Sequence, residues 1–210
     1  DSDITGPSIP RLLGIKDVKP VMSEFGITPI RTTDGIDVIS MNFLVENEED
    51  AVIWRGPAVS AVVKQFWTDV IWGELDYLII DMPPGTGDVA LTVMQSIPIT
   101  GIVMVSTPQD LVSMIVGKAV NMAHKLHINI LGLIENMSYL VCPGCNEKIR
   151  IFESDSINEF LNKNQLDLLG EIPMCKDIVN ISNKGEYNLN PELTEIAEHI
   201  INNIINNIKK

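Results

Sequence analysis

Two cysteines held apart by a proline and a glycine, Cys142-Pro143-Gly144-Cys145, are the residues of this chain best suited to chemistry. Thiolates at C-x-x-C spacing supply half of a tetrahedral zinc site, or half the ligands of an iron–sulfur cluster. The 210 residues hold no second pair: Cys175 stands alone, and the three histidines, His124, His127 and His199, are scattered. Two readings of the pair follow. It is a dithiol redox centre, or it is a half-site that a second copy of the chain completes across a twofold axis. The second reading predicts a homodimer bridged by its ligands. Cys175 reads as a small, partly buried and inert residue.

A second group begins at Tyr77, where an apolar run ends in Asp81 and continues as Met82-Pro83-Pro84-Gly85-Thr86-Gly87-Asp88. The prolines end any ladder pairing, and Gly85 and Gly87 let the backbone approach a bulky anion. A carboxylate at a strand end can hold a hard cation such as Mg²⁺, directly or through water. A solvated Asp before a Pro-Gly turn is the plainer alternative, but the full continuation has the pattern of a Walker B strand with its switch loop. Asp1 and Asp3, one residue apart in extended chain, point to the same side and can face a metal-bound phosphate or an attacking water. Asn136, after the apolar run of Ile130–Ile134, carries both a donor and an acceptor and suits an adenine edge. Its alternative is a local turn bond.

The elements that must position these groups alternate between short β-branched runs and segments of helical period, the pattern of an α/β fold with a mainly parallel sheet flanked by helices. Strands are expected at Ile36–Met41, Tyr77–Ile80, Gly101–Ser106 and Ile130–Ile134. Their continuous apolar character fits strands covered on both faces. A helix after Gly56-Pro57 places Val59, Val62, Val63, Phe66, Val70 and Ile71 on one stripe. A second follows Asp88 as its cap and runs to about Ser96. A third, after Asp110, faces Leu111, Met114, Ile115, Ala119, Met122, Ala123 and Leu126 inward, its methionines as core filler. The last is capped by Asn190, opens with Pro191, and packs an isoleucine stripe on the sheet. Its Asn/Ile/Lys-rich tail, like Asn162–Gln165, reads as compositional bias.

Composition sets limits on function. Hydrophobic residues make up 45% and charged residues 20%, the balance of one globular domain, here taken as 1–210 with the cysteine segment inserted around 138–152. Twenty-eight acidic residues against 15 basic ones give a net charge of −13, which repels a phosphate backbone, so nucleic acid is not an expected partner. No apolar run is long enough to cross a bilayer, so no membrane role is expected. So few cysteines, odd in number, point to a reducing compartment.

Taken together, Asp1–Pro10, Trp54-Arg55-Gly56-Pro57, Trp72–Tyr77 running into Asp81–Asp88, Ser106–Asp110, and Glu135–Tyr139 followed by the cysteine pair are similar to the Mrp/ApbC-type iron–sulfur cluster carrier ATPases. These belong to the deviant P-loop class that also holds the partitioning and division-site ATPases. The resemblance runs from Asp1 to about Asn188. It implies a three-layer P-loop NTPase-like fold, ATP with Mg²⁺, and a homodimer holding a labile [4Fe–4S] cluster for delivery to apo iron–sulfur proteins in the cytoplasm or an organelle matrix. By position it implies that Asp3 orients the hydrolytic water with Asp1 beside Mg²⁺, and that Asp81 is the Walker B ligand. Gly85 lines the phosphate side, Asn136 reads the adenine, and Gly170-Glu171-Ile172-Pro173-Met174 is the late segment that closes over the base, Pro173 and Met174 contacting it. Cys142 and Cys145 are the cluster ligands. No G-x-x-x-x-G-K-[ST] occurs in the chain. The family places that loop one strand and one helix earlier, so the chain is expected to begin partway through the fold, without the first strand and phosphate loop, and to bind ATP poorly on its own. The alternatives weighed are a non-catalytic scaffold with zinc between the two cysteine pairs, and a partitioning-type ATPase, which would lack the cysteines.

Overall fold

The computed structural model describes residues 1–46, 54, 56–151, 155–184 and 189–209. Arg55 of the Trp54–Pro57 motif, and the Asn188 at which the resemblance ends, lie outside the described residues. The chain divides into two compact units, one of Asp1–Pro98 with Asn180–Tyr187, the other of Ile99–Val179 with Asn188–Lys210.

The first unit opens with a single helical turn, α1 (Ile9–Leu12), and two small antiparallel hairpins, β1 (Met22–Ser23) with β2 (Gly26–Ile27), and β3 (Ile30–Arg31) with β4 (Asp37–Val38). The expected strand Ile36–Met41 is therefore cut to Asp37–Val38 and is antiparallel. The Ser40 hydroxyl accepts the Asn42 N–H and starts a 3₁₀ turn over Met41–Phe43, which ends the extended run. Helix α2 (Gly56–Thr68) buries Val59, Val63 and Phe66, and packs on α3 (Asp88–Ser96). Val70 and Ile71 fall beyond α2; Val70 is buried through a bridge to Ile27, whereas Ile71 is exposed. The cap of α3 is Gly87, not Asp88, which forms the first helical residue.

Tyr77–Ile80 is not a strand. Among the described residues no neighbour pairs along this run, and Tyr77 and Ile79 are 63% and 87% exposed. A strand exists only where a neighbour takes its backbone hydrogen bonds. At its end, the Asp81 carbonyl accepts both the N–H and the hydroxyl of Ser2, at 2.8 and 2.6 Å.

The second unit is built on a parallel sheet of β5 (Ile102–Ser106), β6 (Ile130–Asn136) and β9 (Leu168–Ile172), in the order β5-β6-β9. Helix α4 (Asp110–Lys125) packs against β5. It buries Val116, Val120 and Ala123, so the inward face lies about one residue away from the expected one, and Met114, at 55% exposure, is not core filler. A short hairpin, β7 (Leu140–Val141) with β8 (Lys148–Ile149), carries the two cysteines in its loop. Helices α5 (Asp155–Asn164) and α6 (Lys176–Lys184) flank β9 in sequence.

Helix α7 (Pro191–Ile208) closes this unit against β6 and β9, capped as expected by the Asn190 side chain on the Leu193 N–H at 2.8 Å. Its asparagines are not mere bias. Both outer ladders slip by one residue: Leu131 is left over between the Ile102–Ile130 and Val103–Gly132 pairs, and Leu169 between the Leu133–Leu168 and Ile134–Gly170 pairs. Asn207 Nδ2 donates to the Leu131 carbonyl at 2.7 Å, and Asn203 Nδ2 to the Leu169 carbonyl at 2.8 Å. Each amide serves a carbonyl that belongs to a bulge residue.

Candidate functional site

In the first unit the chain start is brought beside the switch loop. Ser2 is tied to the Asp81 carbonyl, so Asp1 and Asp3 flank that contact. Asp1 Oδ2 accepts from Ser40 Oγ at 2.9 Å and from the Ile9 N–H at 3.2 Å, while its Oδ1 is buried with no hydrogen-bond partner. Asp3 Oδ1 accepts from the Gly6 N–H at 3.0 Å and from Thr5 Oγ1 at 3.2 Å, an Asx-type turn. Partial burial, with the negative charge of Asp3 adding to it, pushes the Asp81 carboxyl above the usual carboxylate range. Asp1 and Asp3 thus stand on either side of the residue tied to Asp81, and carboxylates of this type are able to hold a hard cation. Gly85 adopts a φ of +91°, the left-handed region, and no atom lies within 4 Å of where a Cβ would stand.

In the second unit the parallel register sets Asn136 beside Ile172, one residue before the buried Pro173. Asn136 is half-buried, and its Oδ1 accepts the Met137 N–H at 2.9 Å. The local turn bond weighed for this residue therefore exists, and the amide nitrogen is the group left to meet a base edge. Met174 N–H donates to the Tyr139 carbonyl and Ser138 N–H to that of Ile172, so the late segment and the segment after β6 are laced together.

The cysteine hairpin follows directly. Cys142 N–H donates to the Glu147 carbonyl, and Asn146 N–H to that of Cys142, each at 2.9 Å. Asn146 takes the left-handed conformation that this tight loop requires, at a φ of 58°. Cys142 is half-buried and Cys145 exposed. The backbone N–H groups of Gly144 and Cys145, aided by the Cys145 thiol, hold the Cys142 thiol below its usual range. Among the described residues no group of three or more His, Cys, Asp or Glu side chains is placed to hold a metal ion. The pair is a donor set of two soft sulfurs, matched to iron or zinc.

Sequence reasoning missed a cluster at the root of this hairpin. The β6–β9 register puts Glu135 directly beside Glu171. Glu135 is 1% exposed. Ser138 Oγ lies 2.5 Å from Glu135 Oε2 and 2.8 Å from Glu171 Oε1, and Arg150 Nη1 donates to Glu171 Oε1 at 2.7 Å. Burial, reinforced by Glu171, pushes the Glu135 carboxyl up, whereas the Arg150 hydrogen bond holds Glu171 down. The sequence signals were the Glu that opens Glu135-Asn136-Met137-Ser138 and the Glu171 within the late segment Gly170–Met174, with nothing to pair them. Because Glu135 is raised in the fold, the native state holds a proton that the unfolded chain releases first, so its contribution is intact below the ordinary Glu value and is lost as pH rises through the native one. Glu135→Gln is therefore expected to lose less Tm than the wild type as pH rises from the ordinary Glu value through the raised native one, read by thermal melts across that range.

The chain matches the family of NUBPL iron-transfer P-loop NTPases of the ParA class over residues 1–209. It is 49% identical over 193 residues to the iron-sulfur cluster carrier protein of Clostridium perfringens, covering 89% of this chain and 68% of that one. The chain belongs to this family. The chain spans about two thirds of the length of the curated relatives it matches first. A solved nucleotide-binding protein from Archaeoglobus fulgidus in complex with ADP is similar at 39% identity with a TM-score of 0.75, covering 90% of this chain and 74% of that one. The septum site-determining protein MinD from Pyrococcus horikoshii, solved with Mg-ADP, shares the fold at 20% identity and a TM-score of 0.57, covering 99% of this chain and 79% of that one. The fold is thus the α/β fold of the ParA and MinD-like P-loop NTPases, and the carrier family has its parallel sheet flanked by helices. Among the described residues no helix is long and apolar enough to cross a membrane.

Proposed function

We propose that this carrier-family chain holds an iron–sulfur cluster on Cys142 and Cys145, that the same pair from a second copy completes the ligand set, and that the cargo passes to apo iron–sulfur proteins. The observation that carries this reading is a hairpin tip presenting two sulfurs, one of them a thiol held below its usual range, without a third ligand among the described residues. A donor set of two is half of what a [4Fe–4S] cube needs, and a twofold axis supplies the remainder. All three cysteines are free thiols, which fits a reducing compartment, the cytoplasm or an organelle matrix.

The nucleotide half of the proposal assigns Asp81 to Mg²⁺, with Asp1 near it and Asp3 orienting the hydrolytic water. Gly85 gives the phosphates close approach, Asn136 meets the adenine, and Pro173 and Met174 cover the base. The unpartnered Oδ1 of Asp1 supports a cation there, because a buried carboxylate oxygen without a partner is costly. When bound, Mg²⁺ supplies charge neutralisation to the phosphates. That the chain acts as one nucleotide-binding domain, in three layers, is supported by the unbroken family match over 1–209.

Anaerobic reconstitution of the full-length protein with iron and sulfide tests the central claim. The expected product is a brown dimer with cluster absorption and sulfide bound in proportion to iron. A colourless dimer that takes zinc and refuses iron would replace the carrier by a zinc scaffold, and a monomer retaining a full cluster would remove the shared site.

A further inference from the structure

The hairpin that bears the cysteines is fastened to the sheet at its root, beside the residues proposed to touch the base. Arg150 immediately follows β8, so its backbone is the root of the hairpin. Its Nη1 donates to Glu171 Oε1 at 2.7 Å and to Ser138 Oγ at 2.9 Å, and stands 3.8 Å from Glu135 Oε2. Glu135 and Glu171 precede Asn136 and Ile172 on adjacent strands. Two carboxyls side by side on one face repel unless a cation or a proton intervenes. Here both do. A hydroxyl has one proton to give, so Ser138 can serve one carboxyl at a time. A proton kept on Glu135 fills the other contact, and Arg150 answers the charge on Glu171.

The other side of the hairpin root is held in the same way. Tyr139 is buried, its carbonyl accepts the Met174 N–H, and its ring lies 4.3 Å from Lys148 Nζ on β8. A displacement of Asn136, Pro173 or Met174 is therefore passed to Glu135, Ser138, Tyr139 and Glu171, and from these to Arg150 and Lys148. Between Lys148 and Cys145 lie only two residues. Stiff, hydrogen-bonded contacts of this kind have few alternative arrangements, so a shift at the strand ends is transmitted rather than absorbed.

We propose that Arg150, latched onto Glu171 and Ser138 beside buried Glu135, is the positioning residue that links occupation of the base pocket to the order of the cysteine hairpin. The inference rests on the base-contacting role proposed for Asn136 and Met174. Linkage is reciprocal: a nucleotide that tightens the latch orders the cysteines, and a cargo on the cysteines raises nucleotide affinity by the same factor.

Hydrogen exchange in the full-length, cluster-free protein tests this. MgADP at saturation is expected to slow exchange of the Cys142 and Asn146 amides by about fivefold or more. Arg150→Ala is expected to abolish that response while ADP affinity, measured by calorimetry, stays within about twofold; Arg150→Lys restores part of it. A merely structural role would change the basal exchange rate but leave the response to ADP. An equal response in Arg150→Ala, or none in the wild type despite bound ADP, overturns the latch alone. If ADP does not bind the wild type, the base-pocket reading falls and takes the latch with it. Should Arg150→Ala fail to fold, Glu171→Gln decides at its own saturating ADP: loss of the response supports the latch and a retained response overturns it.

Discussion

Cys142→Ala is expected to abolish cluster retention after reconstitution, with iron and sulfide falling to the background of the protein-free control, while the folded unit stays unchanged. Both halves follow from the geometry. A cluster shared by two chains loses two of its four sulfur ligands when one cysteine per chain is removed, and two thiolates cannot hold a cube against exchange with solvent thiols. The fold does not depend on this side chain, because Cys142 is only half-buried and the hairpin is held by its backbone at Glu147 and Asn146 and by its root at Arg150. Iron and sulfide assays, paired with a thermal melt within about 2 °C of wild type, check both. A variant that keeps its full iron removes Cys142 from the ligand set. Cys145→Ala is expected to behave alike, although its thiol is the more exposed.

A large loss of stability is expected elsewhere, at Gly132. This glycine sits next to the bulge in β6 with a φ of +142°, and a Cβ there would meet the Asp167 carbonyl oxygen and Leu169 Cγ, each at 2.7 Å. The first is backbone and cannot rotate away. Gly132→Ala is expected to cost about 3 kcal/mol, from a conformation that L-residues avoid and from overpacking a buried strand. For a chain of this length that lowers Tm by roughly 6–12 °C. Gly117→Ala is the control. Gly117 lies in α4, where a Cβ would meet only Phe160 Cε2 at an ordinary 3.5 Å, so alanine there is expected to stabilise by about 0.5–1 kcal/mol. Equal melting of the two variants would mean that the bulge is looser than its contacts imply.

What the sequence discloses depends on how local the determinant is. The cap of α7, the strands β5 and β6 and the sulfur pair are written in runs of a few residues, and these were legible: Asn190-Pro191 starts a helix, and Ile102–Ser106 forms a strand, although Val105, at 56% exposure, is not covered on both faces as expected. Tyr77–Ile80 carries the same local signal and is no strand, because pairing is decided by a neighbour and not by the run itself. The inward face of α4 was misjudged where Met114 and Ile115 are apolar yet exposed, since hydrophobicity alone does not say which stripe meets the sheet. The Glu135–Glu171 adjacency could not be read at all. The two residues are brought level by parallel register, and that register contains a one-residue slip. In the site, residue types disclosed which groups carry chemistry, while the means of holding them, Ser2 on Asp81 and Arg150 on Glu171, came only with the fold.

The asparagines of α7 have a further consequence for how the molecule ages. Hydrolysis of the Asn207 amide, the slow deamidation to which asparagine is prone, would replace the donor that now meets the Leu131 carbonyl by an anion facing that oxygen, with Asp167 Oδ2 3.3 Å from the same nitrogen. A lesion in the last turn of α7 would thereby remove a side-chain tie to the strand whose other end carries Asn136.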